Sequence, residues 1–420
     1  MTGPLWDALP DGWRAGQVKN AATVTLGKML QSKNSGNDVR APYMRAANVQ
    51  PDGVLALDDV NEMWFSDAEL EQLSIRAGDV VVVEGGQGGF GRAAYVDEDL
   101  AGWGFQNSIS RLRPIGDVDG RFIAFYLIAL RASGFIRAYS NVVSMPHLTA
   151  EKLGRMPMPM PRVEEQRAIA DYLDHETARI DTLIEEQQRL IEMLRERRRA
   201  AVEEAVAIIA TSGARLKHLI RSVRQGWSPQ CYSWPADGVK TWAVLKAGAA
   251  NGGRFRPMEN KELPKDEVPR PDIVVARGDL IVARANTREL VGSAAVVEGD
   301  FPRLMLCDKL YAFSLDESRA DSRFVAAVLG SRRWRDLIEL EATGVSHSML
   351  NITQSNIVNL PMPLPPVDEQ RSIVAHLNSE TAKTDQLIAE TEQFIQLARE
   401  RRTALITAVV TGQADVREMT

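Results

Sequence analysis

The chain carries one long internal repeat. Residues 157–198 return, shifted by 204 positions, as residues 361–402, and both copies start with alternating prolines that lead into a Glu-Gln-Arg triplet. A period of about 200 residues is far longer than that of a solenoid, so each unit is expected to be a globular domain with its own repeated segment. The sequence therefore predicts two related halves in one chain.

Each repeated segment is predicted to begin a long helix. The prolines fix φ and end any preceding helix, and an acidic pair follows them at residues 164–165 and 368–369, where the helix dipole favours negative charge. Residues 164–210 contain neither glycine nor proline, and Gly213 and Gly412 mark the expected ends of the two helices.

The apolar residues of both helices recur at alternating three- and four-residue spacing. This narrow stripe is typical of a coiled-coil seam rather than of a helix on a globular surface. The expected seam residues are Ile169, Leu173, Ile180, Leu183, Leu190 and Leu194 in the first helix and Ile373, Leu377, Leu387, Phe394 and Ala398 in the second. Polar residues interrupt the pattern at Glu176, Gln187, Glu380, Thr384 and Thr391.

The length of the helices predicts their relative direction. About 47 residues form a rod of ~70 Å at ~1.5 Å per residue, whereas a compact domain of roughly 145 residues spans only ~40 Å. The domain between the helices is therefore too small to carry the chain back along the rod, as parallel helices would require. We expect an antiparallel pair with one globular head at each end and a pseudo-two-fold relation between the halves.

The two globular segments are predicted to be strand-rich copies of one mixed α/β fold. An aspartate and four valines at residues 79–83 follow Gly78, and an aspartate and three apolar residues at 279–282 follow Gly278, as expected for a buried strand in each head. Residues 144–149 also align with residues 348–353 at the shift of 204, which places His147 opposite Asn351.

The predicted fold class is therefore α+β, with two mixed α/β domains separated by two long antiparallel helices that form a coiled coil. The expected bounds are 1–155 for the first domain, 156–212 for the first helical region, 213–359 for the second domain, and 360–420 for the second helical region with its tail. We call residues 1–155 the first head and residues 213–359 the second head.

Composition excludes several classes of protein. No stretch approaches 18 apolar residues and the first residues lack a signal-peptide pattern, so we expect no membrane partner and a cytoplasmic location. Cys231 and Cys307 are too few for a disulfide framework or a cysteine metal site, and the five histidines show no ligand spacing. We expect no metal in this chain.

The sequence motifs favour a chain that binds over one that catalyses. Residues 86–91 satisfy G-x-G-x-x-G, but the pattern of residues 92–96 is that of a strand, whereas a dinucleotide site needs a helix there. A hairpin loop is therefore favoured over a nucleotide site. The Pro-Pro pair at 365–366 is followed by Val367 instead of an aromatic residue, so the expected motif of a base methyltransferase is missing.

Polar loop residues of the heads are the candidate DNA contacts. The net charge is −6, so phosphate binding needs local basic patches or a partner that supplies charge. Arginine and asparagine bond guanine and adenine edges, although ordinary loop polarity remains the alternative at each position. The candidates are Arg45, Asn48, Gln87, Arg92, His147, Arg284, Asn286, Thr287, Arg288 and Asn351.

The repeated segments resemble the specificity subunits of type I restriction-modification systems. The pattern Pro-x-Val-x-Glu-Gln-Arg-x-Ile opens a long helix at residues 161–169 and again at residues 365–373, and residues 9–14 resemble the start of such a subunit. The second head departs from this pattern, because it opens with residues 214–217 in place of Pro-x-Gly-Trp.

This resemblance implies a non-catalytic subunit whose two target-recognition domains each read one half of a split double-stranded DNA target. It also implies two adenine-methylating modification subunits and the restriction subunits as partners, with S-adenosylmethionine, ATP and Mg bound by those partners and no cofactor in this chain. The expected partner-binding residues are Glu165, Gln166, Arg167, Glu369, Gln370 and Arg371. The alternative is a scaffolding protein whose coiled coil spaces two protein-binding domains.

Overall fold

The computed structural model describes residues 3–85, 89–140, 147–207, 209, 211–346 and 349–418. It divides into two units, one made of Met1–Gln188 with Gln393–Thr420 and the other of Arg189–Glu392. Each unit therefore contains one head and a part of both long helices. None of the described helices combines the length and the apolar character needed to cross a bilayer.

The first unit contains nine strands and the first six helices within its described residues. The strands are β1 (Arg14–Gln17), β2 (Ala22–Leu26), β3 (Val39–Met44), β4 (Asn61–Phe65), β5 (Val80–Val83), β6 (Ala93–Tyr95), β7 (Gly104–Phe105), β8 (Ile109–Pro114) and β9 (Pro157–Met160). The helices are α1 (Val18–Ala21), α2 (Asp67–Gln72), α3 (Gly120–Ala132), α4 (Phe135–Tyr139), α5 (Ala150–Gly154) and α6 (Val163–Ala207), of which α6 continues into the second unit.

The first head is built on the central strand β5. An antiparallel sheet has the order β2-β8-β5-β6, and a smaller sheet has the order β4-β3-β7 with β3 and β7 parallel. Val80 and Val82 pack into the core that contains α3, whereas Val81 and Val83 pack into the core beside the smaller sheet. A strand buried on both faces needs apolar side chains at every position, which explains the predicted apolar run.

The second unit contains twelve strands and four further helices within its described residues. The strands are β10 (Thr211–Arg215), β11 (Ile220–Gln225), β12 (Ala243–Leu245), β13 (Asn260–Glu262), β14 (Leu280–Ala283), β15 (Ala285–Asn286), β16 (Ala294–Val296), β17 (Leu304–Met305), β18 (Leu310–Leu315), β19 (Thr343–Ser346), β20 (Met349–Asn351) and β21 (Pro361–Pro363). The helices are α7 (Ser322–Gly330), α8 (Arg332–Glu341), α9 (Gln354–Val358) and α10 (Val367–Val410), of which α10 continues into the first unit.

The second head repeats the topology of the first. Its larger sheet has the order β11-β18-β14-β16 and its smaller sheet the order β13-β12-β17, again with one parallel pair. The central strand β14 is also buried on both faces, since Leu280 and Val282 belong to one core and Ile281 and Ala283 to the other. The prediction that both heads are copies of one fold is confirmed.

Both proline runs form short strands. In β9 the backbone pairs antiparallel with β1, which matches Pro157 with Gln17 and Pro159 with Ala15, and β21 pairs with β10 in the same direction. Proline lacks a backbone donor and is tolerated in such two-stranded edges. The repeated segment is therefore attached to its head before the helix begins, and the predicted domain bounds of 155 and 359 stay predictions.

The long helices run antiparallel within the second unit, as predicted. Arg195 Nη2 lies 3.0 Å from Glu392 Oε1, and Arg198 Nε lies 3.1 Å from Asp385 Oδ1. The residue number along α10 therefore falls as the number along α6 rises.

The predicted seam of the helices is correct at some positions and wrong at others. Five predicted seam residues are buried, namely Ile169, Leu173, Ile180, Leu377 and Ala398, and three are half-buried, namely Leu190, Leu194 and Ile373. Three predicted seam residues are exposed instead, namely Leu183, Leu387 and Phe394. Buried positions that the prediction missed include Ile184, Ile191, Ile395, Thr177 and Thr381. Thr384 and Thr391, which were predicted to interrupt the seam, are buried as well.

Buried threonines explain the error. The hydroxyl of Thr177 donates to the Leu173 carbonyl at 2.7 Å, and the hydroxyl of Thr381 donates to the Leu377 carbonyl at 2.8 Å. A hydroxyl that is satisfied within its own helix leaves the methyl group to face the partner helix. Threonine therefore acts as a small apolar residue in this seam, and the seam takes Thr177 in place of the predicted interruption at Glu176.

Arg402 joins three elements of the first unit. Its Nε lies 2.9 Å from Asp181 Oδ1 on α6, and its Nη2 donates to the backbone carbonyl of Asp52 at 3.2 Å. Asp52 occupies a turn of the first head and is the one non-glycine residue with positive φ among the described residues, at 65°. One buried guanidinium thus links both helices to the head.

The second unit repeats this contact at the positions 204 residues away. Arg198 pairs with Asp385, and its Nη1 donates to the Gly252 carbonyl at 3.4 Å. Gly252 has φ of 71° and lies in the turn that corresponds to the turn at Asp52. The internal repeat therefore includes the interaction that fixes helix register in each unit.

We predict that Arg402→Ala lowers the free energy of unfolding by about 1–3 kcal/mol, since it removes charge-assisted hydrogen bonds in a buried setting. Arg401→Ala is the matched control, because Arg401 is exposed, and it should change that free energy by less than about 0.5 kcal/mol. Urea unfolding of both variants measures the difference. Equal losses would show that the Arg402 contacts do not stabilise the fold.

Two glycines allow close backbone approach in the heads. A Cβ on Gly226 would lie 2.2 Å from the carbonyl of Leu306, and a Cβ on Gly27 would lie 2.2 Å from the carbonyl oxygen of Gln106. Each glycine follows the first strand of the larger sheet and packs against the turn that precedes the next strand of that sheet. A side chain at either position requires the backbone to move.

Gly226→Ala should therefore cost about 1–3 kcal/mol of stability, as overpacking does in other cores. Gly330→Ala in the same head is the control, because no atom lies within 4 Å of its added Cβ, and its effect should stay within about 0.5 kcal/mol. Thermal unfolding followed by circular dichroism compares the two. Similar melting temperatures for both variants would contradict the steric argument.

Candidate DNA-reading surfaces

The candidate residues of the second head lie together after the central strand. Arg284 follows β14 directly, and β15 pairs antiparallel with β20, which places Ala285 opposite Asn351 and Asn286 opposite Leu350. The structure therefore brings Asn351 beside the loop at residues 284–288.

Arg284 belongs to a polar cluster with fixed geometry. Its Nη1 donates to the backbone carbonyl of Asp308 at 3.2 Å. The Asp308 carboxylate accepts hydrogen bonds from Lys309 Nζ at 2.5 Å and from the Ser228 hydroxyl. Burial acts to raise the pKa of Asp308, but these two hydrogen bonds, together with the charges of Lys309 and Arg284, hold the pKa below its ordinary value.

Residues 286–288 differ in how their side chains are bonded and exposed to solvent. Asn286 Nδ2 donates to Asn251 Oδ1 at 3.1 Å, and Asn286 Oδ1 accepts from the Thr287 backbone at 2.9 Å. The Thr287 side chain hydrogen-bonds with Glu289 and helps to lower the pKa of that carboxylate, after the larger effect of the Glu289 backbone amide. Arg288 is exposed, so it is the most accessible residue of the group.

In the first head, Asn48 is buried and only 2% exposed. Its Oδ1 accepts from the Arg45 backbone at 2.9 Å, and its Nδ2 donates to the carbonyls of Ala56 at 2.8 Å and Asp59 at 3.3 Å. These bonds use the whole amide group to hold the turn at residues 46–48. This burial argues against the prediction that Asn48 contacts a base and gives it a structural role.

Arg45 is half-buried and carries an ion pair. Its Nη2 lies 2.5 Å from Asp59 Oδ2, on an aspartate side chain that is 81% exposed. Lys246 follows the equivalent strand of the second head and lies 3.8 Å from Glu259. Each head thus presents a cation after this strand, with its charge compensated by an acidic neighbour.

The strands on either side of the glycine loop of the first head are arranged as the predicted hairpin requires, and residues 86–88 of that loop lie outside the described residues. Val82 of β5 pairs antiparallel with Ala93 of β6, so no helix follows the loop. Arg92 Nη1 donates to the Val49 carbonyl at 3.3 Å. Gln87 lies outside the described residues. His147 is exposed and forms a backbone bridge with Gly85.

Gln166 and Gln370 connect each long helix to its head. Gln166 is 2% exposed, and its Oε1 accepts from the Asp119 backbone at 3.1 Å. Gln370 is fully buried, and its Oε1 accepts from the Asp321 backbone at 2.9 Å. The side chains of Asp119 and Asp321 cap α3 and α7.

This burial argues against partner contacts by Gln166 and Gln370, since both amide side chains are used inside the chain. Around them, Glu165 is half-buried and Arg167, Glu369 and Arg371 are exposed. Partner binding by these four residues stays a prediction.

Among the described residues, no group of three or more His, Cys, Asp or Glu side chains could hold a metal ion. Cys231 is half-buried and Cys307 buried, and both are free thiols. Burial raises the pKa of the Cys307 thiol to about 11, so it stays protonated at neutral pH.

Comparison with known proteins relates the chain to restriction systems. Residues 10–193 match the type I restriction modification DNA specificity domain. The specificity subunit of type I restriction enzyme EcoEI from Escherichia coli is 32% identical over 173 residues, which cover 41% of this chain and 29% of that protein. The StySPI specificity subunit from Salmonella potsdam is 22% identical over 399 residues, which cover 90% of this chain and 84% of that protein.

A solved structure shares the fold along nearly the whole chain. It comes from a study of complex assembly and conformational transition of the type I restriction-modification system, and it matches with a TM-score of 0.63 at 18% identity. The match covers 97% of this chain and 100% of that chain. These matches show that residues 10–193 resemble the type I restriction modification DNA specificity domain and that the chain as a whole is similar to specificity subunits of type I restriction enzymes.

Proposed function

We propose that this chain reads a bipartite DNA target, one half with each head, as the non-catalytic specificity subunit of a type I restriction-modification complex. The observation that carries the proposal is the presence of two heads with one topology and different polar surfaces. A single target repeated twice would need two similar surfaces. Two dissimilar surfaces on one frame suit two different half-sites.

The polar residues of the heads are suited to reading bases more than to attracting DNA. Arg45 and Arg284 are both engaged by neighbouring groups of their own head, which orients their guanidinium groups. An oriented guanidinium discriminates between base edges through directed hydrogen bonds. Overall attraction to phosphates is weak for a chain with net charge −6, so we expect partner subunits to supply much of it.

The long helices serve as the spacer and as the docking region for partners. The register contact of Arg402 with Asp181 and that of Arg198 with Asp385 fix the helices within each unit. A fixed register of the helices gives a fixed distance between the surfaces that read DNA. A target made of two half-sites needs such a distance, because the unread gap between the half-sites has a constant length. Two modification subunits that use S-adenosylmethionine are the expected partners on this region, together with ATP- and Mg-dependent restriction subunits.

Catalysis is assigned to those partners. The sequence lacks the expected methyltransferase motif, and the glycine loop lies between two antiparallel strands. The chain then acts where the DNA is, in the cytoplasm, by positioning the methylating partners on their target.

We predict that replacing residues 1–155 with the first head of another type I specificity subunit changes one half of the methylated sequence and leaves the other half intact. The expected reason is that each head belongs to a unit with two hydrophobic cores of its own and therefore reads DNA independently. Methylome sequencing of a host that expresses the chimaera with its modification subunits gives the result.

The reciprocal exchange of residues 213–359 is the control and should change the other half alone. A change in both halves from either exchange would contradict independent reading. No sequence-specific methylation with the unaltered chain would instead favour a coiled-coil scaffold that spaces two protein-binding domains.

A further inference from the structure

We infer that the residue directly after the central strand of each head is a base-reading residue, and that Glu84 in the first head and Arg284 in the second read opposite kinds of base edge. This inference rests on the proposed function and assigns specificity to a position within each head. Glu84 is not among the candidate DNA contacts predicted from the sequence.

The two residues occupy the same backbone position. The Glu84 amide donates to the Ser108 carbonyl at 2.8 Å, and the Arg284 amide donates to the Lys309 carbonyl at 2.8 Å. Both acceptors lie in the turn just before the neighbouring strand of the larger sheet, β8 or β18.

The other side of this backbone position is also the same in both heads. The Glu84 carbonyl accepts from the Leu148 amide at 2.8 Å, and the Arg284 carbonyl accepts from the Ile352 amide at 2.9 Å. Leu148 and Ile352 are equivalent in the internal repeat, as are His147 and Asn351 beside them. The backbone of Glu84 and of Arg284 is therefore hydrogen-bonded on both sides, which fixes the position from which each side chain extends.

The side chains around this fixed point differ completely between the heads. The backbone of the turn before β8 or β18 is the same in both heads, because the Ile109 amide donates to the Gln106 carbonyl and the Leu310 amide donates to the Cys307 carbonyl. The residues of the turn are Asn107 and Ser108 in the first head and Asp308 and Lys309 in the second, and their neighbours across the strand are His147 and Asn351. The same backbone geometry thus places Glu84 among mostly neutral side chains in the first head and Arg284 among charged side chains in the second.

Glu84 has no compensating donor within the described part of the chain. It is half-buried, and burial raises the pKa of its carboxyl, with an opposing effect from His147. A partly buried carboxylate without a hydrogen-bond donor is costly. Binding of a ligand that offers a donor at this point offsets that cost.

The chemistry of the two groups selects different bases. A carboxylate accepts from the exocyclic amino group of cytosine, whereas a guanidinium donates to O6 and N7 of guanine. Glu84 therefore selects a base with an amino edge in the first half-site. Arg284, oriented by the Asp308 carbonyl, selects guanine in the second.

The test uses the complex with its modification subunits and measures methylation rates on targets that vary one base at a time. Glu84→Gln should reduce discrimination at one position of the first half by about 5- to 150-fold, the range of one base contact. Arg284→Lys should do the same at one position of the second half, because lysine lacks the two-pronged donor. In both variants the unaffected half is an internal control for folding and assembly.

Matched controls lie near the starts of the two central strands, away from Glu84 and Arg284. Glu98 is an exposed residue after β6, and Arg277 precedes β14 and pairs with Asp300 at 3.7 Å. Glu98→Gln and Arg277→Lys should leave discrimination in both halves unchanged. An equal effect of a control and its test variant would overturn the inference.

The outcomes separate this inference from the proposed function. Unchanged discrimination in Glu84→Gln and Arg284→Lys, while head exchange still moves one half-site, overturns the inference and leaves the function standing. Failure of head exchange as well overturns the function itself. If Glu84→Gln prevents assembly, Arg284→Lys decides alone, and an unchanged second half-site then overturns the inference.

Discussion

The contact between an arginine late in one long helix and an aspartate in the other is the constraint on which both units depend. Arg402 pairs with Asp181, and Arg198 pairs with Asp385 at the repeated positions. A seam of isoleucine, leucine and threonine offers similar packing after a slide of one turn, about 5.4 Å. The same slide takes each guanidinium away from its carboxylate and from the turn of the adjacent head. Arg402 is buried, and a buried charge without its partner is costly, so its ion pair favours one register in the first unit. Arg198 is only half-buried, so the same contact favours the register less strongly in the second unit.

Within that framework the heads keep an architecture and vary its chemistry, even at buried sites. Asp79 and Asp279 precede the central strands, and both carboxylates are nearly inaccessible. In the first head Arg113 binds Asp79 with two hydrogen bonds of 2.7 and 2.8 Å. In the second head the arginine is Arg224 on the neighbouring strand, and Ser314 takes the position of Arg113. The fold requires a donor for the aspartate but leaves open which strand supplies it.

This division explains what the sequence predicts and what it does not. Helices, central strands and their antiparallel arrangement follow from local periodicity and from the length of the repeat. The predicted seam position at Leu183 was wrong. A threonine such as Thr177 can occupy the seam only when its hydroxyl is hydrogen-bonded within its own helix, and the spacing of apolar residues does not show this. The burial of Asn48 and Gln166 depends on backbone partners distant in the sequence. Glu84 is absent from the predicted contacts because those contacts were arginine, asparagine and other donor side chains, although Glu84 follows β5 as Arg284 follows β14.

An acidic residue in a DNA-reading surface has a physical logic of its own. A carboxylate repels phosphates and therefore weakens binding to every sequence, while a matching amino edge restores the loss at the correct site alone. Specificity is a difference of affinities, and a penalty on wrong sites raises it as effectively as a gain on the right one. Arg284 works in the opposite direction, because a cation attracts all DNA and must be oriented to discriminate. The hydrogen bond to the Asp308 carbonyl provides that orientation, so under the proposed function the two heads would reach selectivity by different routes on the same backbone geometry.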